Sequence, residues 1–330
     1  MTTPGTIAVA GAGAWGTALA HVAAAAGRSV ALWTRNPAHA EVMAAERRNT
    51  RFLPGLPMHV GIRPTADLGD LAAADAVLLV TPAQSTREMA GALAAVLPAS
   101  TPLVLCAKGL EQGSNLFLSD VVREFRPDAP VAVLSGPSFA DDVARGLPTA
   151  VTLASADAAL ARSLAQALSG PAFRVYHGTD LRGVEIGGAA KNVLAIACGA
   201  VVGRGLGESA KAALMARGFA ELLRFAEAYG AARETLMGLS GLGDLVLTAS
   251  SPQSRNFAFG ERLGRGIPVA EAAGGKLAEG ALTAPVLVAM AQERGIEMPV
   301  ASAVAAVIAG DLTLPQAIDA LMQRPLKREH

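Results

Sequence analysis

The chain has 330 residues, 52% of them hydrophobic and 4% aromatic, which is enough for two domains with sizeable cores. Its 28 basic and 28 acidic residues cancel, so the composition argues against a nucleic-acid or anionic-membrane partner. Charged residues interrupt every long apolar run, and we therefore predict no membrane span and no secretion signal. The two cysteines, Cys106 and Cys198, lie in unrelated segments, which predicts buried thiols in a cytoplasmic protein and no metal site.

Short β-branched runs alternate with helical stretches in the first half of the chain. Strands are predicted over Thr6–Ala10, Ser29–Trp33, Ala76–Val80, Leu103–Ala107 and Val131–Ser135, with extensions at 151–153 and 173–176. Helices are predicted between them over Ala14–Ala26, Ser85–Leu97, Asn115–Phe125 and 157–168. This alternation is typical of an α/β fold, a doubly wound and mostly parallel sheet with helices on both faces.

Strand-like runs disappear after about Gly188, and helical patterns continue from there. The sequence thus predicts a Rossmann-like dinucleotide-binding domain over residues 1–188, followed by an all-α domain over residues 189–330. The first helix of the second domain is predicted over 189–202 and contains Lys191, one of only five lysines. Ligand sites favour such domain junctions.

A glycine-rich turn, Gly11–Gly16, follows the first predicted strand and opens the first helix. In its G-x-G-x-x-G spacing, Gly11 permits a tight turn, Gly13 lets the backbone approach a pyrophosphate, and Gly16 allows close helix–strand packing. The sequence therefore predicts a bound dinucleotide. Arg35 stands at the tip of the second strand, where a strict NAD enzyme carries an acid, and it suits the 2′-phosphate of NADP(H). A plain surface arginine would give the same pattern.

Lys191 lies within the apolar stretch Val184–Val202. Burial of an ammonium lowers its pKa towards the range in which it can exchange protons, as a catalytic acid must. The alternative is a lysine whose head reaches water from a half-buried helix.

Four further segments carry polar residues where ligand sites form. Lys108 and Ser135–Ser138 follow consecutive predicted strands, and open parallel sheets bind ligands at that end. Asp244 stands in a glycine turn, and Ser254–Asn256 combines a predicted helix start with a guanidinium, which fits a phosphate. Plainer interpretations are surface cations at 108 and 255, helix caps at 244 and 254, and a structural turn at 135–138.

These segments belong to a larger ordered set. The set comprises Gly11–Gly16, Asn49-Thr-Arg-Phe-Leu53-Pro54, Ala107-Lys108-Gly-Leu-Glu, Ser135-Gly-Pro-Ser-Phe-Ala140, Glu185-Ile-Gly-Gly-Ala-Ala-Lys191-Asn192, Gly241-Leu-Gly-Asp244-Leu and Arg255-Asn256. It resembles bacterial NAD(P)-dependent glycerol-3-phosphate dehydrogenase from residue 6 to about residue 310. The resemblance implies reduction of dihydroxyacetone phosphate to sn-glycerol 3-phosphate, the head-group precursor of phospholipids, with NADP(H) or alternatively NAD(H).

The resemblance also implies a role for each matching residue. Lys191 is the proton donor and acceptor at the C2 oxygen, Asp244 is the second catalytic residue, and Arg255 and Lys108 serve the phosphate end. The implied substrate-binding residues are Lys108, Gly136, Ser138, Lys191, Asp244, Ser254, Arg255 and Asn256. The implied cofactor-binding residues are Gly11, Gly13, Ala14, Trp15, Gly16, Arg35, Lys108, Ala140, Arg255, Leu277 and Glu279.

Two kinds of alternative stay open at this stage. A dehydrogenase of the same architecture acting on a hydroxy acid or a nucleotide sugar shares the cofactor signature, although a catalytic cysteine would be expected of the sugar enzymes. A non-catalytic NADPH sensor shares it too, but has no need of Lys191, Asp244 and Arg255 together. A homodimer through the apolar α domain is an expectation from the family.

Overall fold

The computed structural model describes residues 3–275 and 278–324. The strands are β1 Thr6–Ala10, β2 Ser29–Trp33, β3 Arg48–Asn49, β4 Leu53–Pro57, β5 Ile62–Thr65, β6 Ala76–Leu79, β7 Leu103–Leu105, β8 Val131–Ser135, β9 Thr149–Ser155 and β10 Phe173–Gly178. The α-helices are α1 Ala14–Ala25, α2 Pro37–Glu46, α3 Thr86–Val96, α4 Leu118–Phe125, α5 Ala140–Ala144, α6 Ala158–Leu168, α7 Leu181–Gly203, α8 Glu208–Ala228, α9 Arg233–Met237, α10 Asp244–Ser250, α11 Arg255–Gly264, α12 Val269–Ala272, α13 Glu279–Glu293, α14 Pro299–Ala309 and α15 Leu314–Met322.

Eight strands form one sheet in the order β10-β9-β8-β7-β6-β1-β2-β5. Adjacent strands in this sheet are parallel except for β8 and β9, which pair antiparallel. The central strands are buried on both faces, because helices cover both sides and two apolar clusters fill the space between. The predicted doubly wound, mostly parallel sheet is confirmed, as is the helical second half.

Three elements between β2 and β6 were not predicted. Helix α2 buries only Ala40 and Met43, so its apolar periodicity is too weak to stand out. Strand β5 contains Arg63 and Pro64, and a proline normally argues against a strand. It is tolerated here because β5 lies at the edge of the sheet. The third element is the short hairpin of β3 and β4.

Helix α7 begins eight residues before the predicted start at 189, and Asp180 caps it by accepting a hydrogen bond from the Gly183 amide. The glycines of its first turns argued against a helix by propensity. Packing requires two of them. A Cβ on Gly187 would lie 2.7 Å from the Ser240 carbonyl oxygen, and one on Gly188 would lie 2.7 Å from the Ser135 hydroxyl. Lys191 therefore lies well inside the helix.

Helix α7 also corrects the expectation that no apolar stretch reaches the length of a membrane span. Among the described residues it alone is long and apolar enough to cross a membrane, with a mean hydropathy of 1.6 over 18 residues. However, 83% of that stretch is buried inside the protein. Its apolar composition is thus accounted for by its place at the centre of the helical core.

The backbones of α7 and α11 touch through glycines. A Cβ on Gly199 would lie 2.1 Å from the Phe257 carbonyl oxygen, and one on Gly260 would lie 2.0 Å from the Ile196 carbonyl oxygen. Such approach is possible only without side chains at these positions. The contact lies within the third apolar cluster, which forms the core of the helical half. It fixes the first residues of α11 beside the helix that carries Lys191.

Candidate active site

The glycine-rich turn meets the steric demands of a dinucleotide site. Gly11 has φ +125°, and a Cβ there would lie 2.8 Å from the Val80 carbonyl oxygen. A Cβ on Gly16 would lie 1.8 Å from the Gly11 carbonyl oxygen, so both positions exclude side chains. A Cβ on Gly13, by contrast, would meet no described atom within 4 Å. The backbone at Gly13 and the start of α1 therefore face open space, as approach to a pyrophosphate requires.

The other predicted cofactor residues lie at the starts of helices and the end of a strand. Ala14 and Trp15 open α1, and the indole nitrogen of Trp15 is buried without a hydrogen-bond partner in the described part of the chain. Arg35 is exposed two residues beyond β2, and Ala140 opens α5.

Glu279 opens α13 and reaches the sheet half of the molecule. Its Oε1 accepts a hydrogen bond from the Ala83 amide at 3.3 Å, while its Oε2 is buried with no partner among residues 3–275 and 278–324. Burial raises the pKa of Glu279. The predicted cofactor contact at Leu277 lies outside the described residues.

Lys191 and Lys108 share the carboxylate of Asp244. Lys191 Nζ lies 2.6 Å from Asp244 Oδ1, and Lys108 Nζ lies 2.7 Å from Asp244 Oδ2. Lys191 and Asp244 are buried, with 6% and 2% of their side chains exposed, and Lys108 is 17% exposed. The resemblance assigns Lys108 to the phosphate end of the substrate, and in the structure its ammonium shares a carboxylate with Lys191.

This arrangement determines the protonation states of Lys191 and Asp244. Burial lowers the pKa of Lys191 to about 7; Asp244 opposes this shift, and the nearby charge of Lys108 adds to it. Burial alone would raise the pKa of Asp244, but Lys108 and Lys191 outweigh it and hold that pKa below its usual value. Asp244 thus remains a carboxylate while Lys191 can gain or lose its proton near neutrality.

Thr248 is a site residue that the sequence analysis missed. Its Oγ1 lies 2.6 Å from Lys191 Nζ and 3.2 Å from Asp244 Oδ1, and the residue is 4% exposed. Asp244 is the first residue of α10 and Thr248 follows four residues later, so the two share a helix face. That spacing would have revealed Thr248 had Asp244 been assigned to a helix start rather than to a glycine turn.

The turn after β8 contacts Lys108 through its backbone. The Gly136 carbonyl oxygen accepts hydrogen bonds from Lys108 Nζ and from the Ser138 hydroxyl, both at 3.0 Å. A Cβ on Gly136, whose φ is +154°, would lie 2.8 Å from Val151. The glycine therefore lets the turn pack closely against Val151 of β9, and the predicted substrate residues at 136 and 138 lie beside the Lys108 ammonium.

The start of α11 lies on the other side of Lys191. Ser254 caps the helix by accepting from the Phe257 amide, and Arg255, its first residue, is exposed. Asn256 is buried: its Nδ2 donates to Asn192 Oδ1 at 2.9 Å, and its Oδ1 accepts from the Gly280 amide at 2.9 Å. The cap interpretation of Ser254 thus holds beside its predicted substrate role.

Asn192 connects the helix start to the lysine pair. Its Nδ2 donates to the Lys108 carbonyl oxygen at 3.0 Å, while its Oδ1 is taken by Asn256. The side chain next to Lys191 along the chain therefore orders both the Lys108 turn and the start of α11. No role was predicted for Asn192 from the sequence.

Neither cysteine is suited to catalysis. Cys106 and Cys198 are buried and unpaired, and burial raises the pKa of both thiols. This disfavours the nucleotide-sugar alternative, for which we expected a reactive cysteine. Within the described ranges, no group of three or more His, Cys, Asp or Glu is arranged to hold a metal ion.

Two family models, curated relatives and a solved structure with high sequence identity all point to one family. The family model of the NAD-dependent glycerol-3-phosphate dehydrogenase N-terminus matches residues 6–161, and that of the C-terminus matches residues 180–319. Proteins called glycerol-3-phosphate dehydrogenase (NAD(P)+) from Methylobacterium radiotolerans and Azorhizobium caulinodans are 62% and 63% identical, over 98% of each chain. The crystal structure of glycerol-3-phosphate dehydrogenase from Coxiella burnetii superposes with a TM-score of 0.92 at 40% identity, covering 98% of this chain and 99% of that one.

Proposed function

The chain belongs to the NAD-dependent glycerol-3-phosphate dehydrogenase family. We propose which residues of its site carry out the reaction of this family. It interconverts dihydroxyacetone phosphate and sn-glycerol 3-phosphate with NADP(H) or NAD(H). The observation that carries the assignment of roles is the buried cluster in which Lys191 and Lys108 share Asp244. Its position between the glycine-rich sheet domain and the start of α11 supports a reacting carbonyl at this point.

Lys191 is the proton donor in ketone reduction. When bound, the nicotinamide supplies the hydride that reduces the carbonyl carbon. Negative charge then grows on the C2 oxygen, where the ammonium of Lys191 stabilises it and delivers a proton. In the reverse direction, neutral Lys191 accepts the proton of the C2 hydroxyl. Its pKa of about 7 suits both roles.

Asp244, Thr248 and Lys108 prepare Lys191 for this step. Asp244 and Thr248 each lie 2.6 Å from its Nζ and fix the ammonium in place. Lys108 adds a second positive charge on the same carboxylate, which strengthens the field at the developing oxyanion. Gly136 and Ser138 complete the wall beside Lys108 and contact the substrate there.

Arg255, Asn256 and Ser254 hold the phosphate. The start of α11 offers backbone amides and the positive end of the helix dipole, and Arg255 offers a guanidinium that pairs with two phosphate oxygens. Binding of this remote group holds the carbonyl in reach of the hydride and of Lys191.

The residues at the glycine-rich turn fit a dinucleotide. The open space before Gly13 supports pyrophosphate binding by Gly11, Gly13, Ala14, Trp15 and Gly16. We assign Arg35 to the 2′-phosphate of NADP(H). The further cofactor-contacting residues are Lys108, Ala140, Arg255, Leu277 and Glu279. The assignment of Glu279 to the cofactor is supported by its buried Oε2, which has no hydrogen-bond partner in the described chain.

This assignment divides the chain by task. Residues 1–188 supply most of the dinucleotide-binding residues, and residues 189–330 supply the proton donor, the phosphate-binding residues and the cofactor contacts at Arg255, Leu277 and Glu279. We further propose that the product supplies phospholipid synthesis, that the enzyme works in the cytoplasm, and that two copies associate through the helical half. The two buried, unpaired cysteines support a reducing compartment.

A turnover assay tests the function. Purified enzyme is mixed with NADPH and either dihydroxyacetone phosphate or unphosphorylated dihydroxyacetone, and the loss of NADPH absorbance is followed. We expect rapid oxidation with the phosphorylated ketone and little with the other. Turnover of 2-oxo acids in its place would favour the hydroxy-acid alternative. NADPH binding with no turnover of any ketone would favour the sensor.

A further inference from the structure

The segment Asn49-Thr-Arg-Phe-Leu53-Pro54 has no part in the mechanism, yet its first residue is among the most buried polar groups of the protein. Asn49 is 1% exposed. Its Nδ2 donates to the Ala12 carbonyl oxygen at 3.0 Å and to Thr17 Oγ1 at 2.7 Å. Its Oδ1 lies 3.1 Å from His39 Nε2. Both amide hydrogens and the amide oxygen are therefore in use.

The two groups to which Asn49 donates belong to the glycine-rich turn and the first turn of α1. Ala12 lies between Gly11 and Gly13, and Thr17 follows Gly16. A hydrogen bond to the Ala12 carbonyl fixes the peptide between Ala12 and Gly13. A buried network with every group satisfied is rigid, so Asn49 restrains the part of the backbone that faces the open space at Gly13.

His39 extends this network to the end of β2. Because Asn49 Oδ1 can only accept, His39 Nε2 carries a hydrogen, and its Nδ1 lies 3.4 Å from Thr34 Oγ1. Thr34 precedes Arg35, and its hydroxyl also accepts from the Asn36 amide at 3.5 Å. Thr34, His39, Asn49 and Thr17 form what we call the Asn49 network.

The rest of the motif explains why Asn49 stays in place. Asn49 of β3 pairs with Leu53 of β4 across a bulged hairpin, and Leu53 is buried. The hairpin therefore anchors its apolar leucine in the sheet core while the amide points at the glycine-rich turn.

We propose that Asn49 is a positioning residue for the cofactor. It holds the glycine-rich turn in its binding conformation and, through His39, ties that turn to the strand end that carries Arg35. This inference rests on the proposed function only in taking that turn and Arg35 as the dinucleotide site. A preformed site binds more tightly because less ordering accompanies binding. Asn49 contacts no residue of the Lys191 cluster among the described residues, so its effect falls on cofactor affinity and not on the chemical step.

The first test compares Asn49→Ala with the matched control Thr50→Ala, whose side chain is exposed. Dissociation constants for NADPH and NADH are measured by equilibrium fluorescence titration, and melting temperatures are recorded for each variant. We expect Asn49→Ala to raise both dissociation constants about tenfold or more, which corresponds to about 1.4 kcal/mol. At saturating cofactor and ketone, kcat should stay within about twofold. Thr50→Ala should match the wild type in all respects.

The second test uses His39, which is less buried than Asn49. His39→Ala removes the link to Thr34, so it should raise the dissociation constant for NADPH more than that for NADH. His39→Gln retains an amide donor for Asn49 Oδ1 and should restore most of the NADPH affinity. If Asn49→Ala does not fold, the comparison of His39→Ala with His39→Gln still tests the proposal.

Three results would overturn the inference. One is a lowered melting temperature in Asn49→Ala with both dissociation constants unchanged, which indicates a purely structural residue. Another is a loss of kcat with unchanged binding. The third is equal NADPH affinity for His39→Ala and His39→Gln. Binding is measured without turnover, so an enzyme that binds NADPH but leaves dihydroxyacetone phosphate unreduced contradicts the proposed function alone.

Discussion

The ammonium groups of Lys191 and Lys108 share the buried carboxylate of Asp244, and this arrangement makes the proton of Lys191 available for transfer. An isolated ammonium at the position of Lys191 would pay a large desolvation penalty, and Asp244 offsets part of it. Lys108 competes for the same carboxylate, and its charge, with burial, keeps the pKa of Lys191 well below that of a surface lysine. The cluster thus combines a fixed anion with an acid that releases its proton readily.

The lowered pKa of Lys191 predicts opposite pH profiles for the two directions. Ketone reduction needs the ammonium, so its kcat/KM should fall as the pH rises above about 7, where the proton is lost. Oxidation of glycerol 3-phosphate needs the neutral amine, so its kcat/KM should rise over the same range. Initial rates across pH 5 to 9 check this, since these bounds span about two units on either side of neutrality. Profiles that move together would contradict the assignment.

Substitution of Arg255 should weaken substrate binding more than it slows the chemical step. Arg255→Ala removes the guanidinium at the start of α11 and should raise the KM for dihydroxyacetone phosphate by one to two orders of magnitude, about 1.4 to 2.7 kcal/mol. The dissociation constant for NADPH should change much less. Steady-state kinetics and a direct binding titration separate the two effects. Loss of NADPH binding with an unchanged KM for the ketone would show that the phosphate lies elsewhere.

Arg35 should set the choice between the two cofactors. Arg35→Asp places a negative charge where the 2′-phosphate is proposed to lie, so the KM for NADPH should rise far more than that for NADH. The ratio of kcat/KM values for the two cofactors is the quantity to compare. An equal change in both would remove Arg35 from 2′-phosphate recognition.

The sequence could predict the residue types of the site but not their pairing. Lys191, Asp244 and Lys108 stood out because charged residues in apolar or glycine-rich surroundings are unusual. Nothing local to Lys108 shows that it meets Asp244, which lies 136 positions away along the chain. Thr248 escaped notice because a threonine in a helix is common in any protein. Asn49 belongs to a motif singled out in the sequence, but an asparagine before a hairpin is equally common and gave no indication of its role.

At the scale of elements, contact between α7 and α11 brings the phosphate end to the proton donor. Gly199 on α7 and Gly260 on α11 each lie against the backbone of the other helix. Loss of this contact would move the start of α11 relative to Lys191. The fold therefore sets the spacing between the donor and the predicted phosphate site through two residues that bear no side chain.

An alanine at Gly260 should disturb both stability and substrate binding. Its Cβ would lie 2.0 Å from the Ile196 carbonyl oxygen, and we expect destabilisation by about 1–3 kcal/mol in urea unfolding. The KM for dihydroxyacetone phosphate should rise as well. Gly91→Ala is the matched control, because that helical glycine faces only the Phe125 ring at ordinary contact distance. The control should be neutral or stabilised by up to about 1 kcal/mol. Equal losses in the two variants would rule out the helix contact as the cause.

The elements themselves were predictable to different degrees. The buried parallel strands were found because their runs are continuously apolar, and the first three of them needed little correction. The early turns of α7 were missed because glycine opposes a helix by propensity, while tertiary packing demands glycine at 187 and 188. Edge strand β5 was missed because proline and arginine conceal its pattern.

At the scale of the whole molecule, the site exists only where the two halves meet. Three of the hydrogen bonds that cross this boundary involve proposed site residues: the Ala83 amide donates to Glu279, Lys108 donates to Asp244, and Asn192 donates to the Lys108 carbonyl oxygen. Each joins the sheet half to the helical half at a residue assigned to cofactor or substrate. Cofactor and substrate binding should therefore depend on each other, since both restrain the same boundary.

The most direct test of the account is the turnover of Lys191→Ala at saturating NADPH and dihydroxyacetone phosphate. Lys211→Ala is the control, because it removes another helical lysine that is paired with a carboxylate, Glu208. If Lys191 is the proton donor, its loss should lower kcat by about two to four orders of magnitude while NADPH affinity stays close to that of the wild type. The control should retain wild-type kcat. A decrease in kcat of less than about tenfold for Lys191→Ala, roughly 1.4 kcal/mol, would contradict the account.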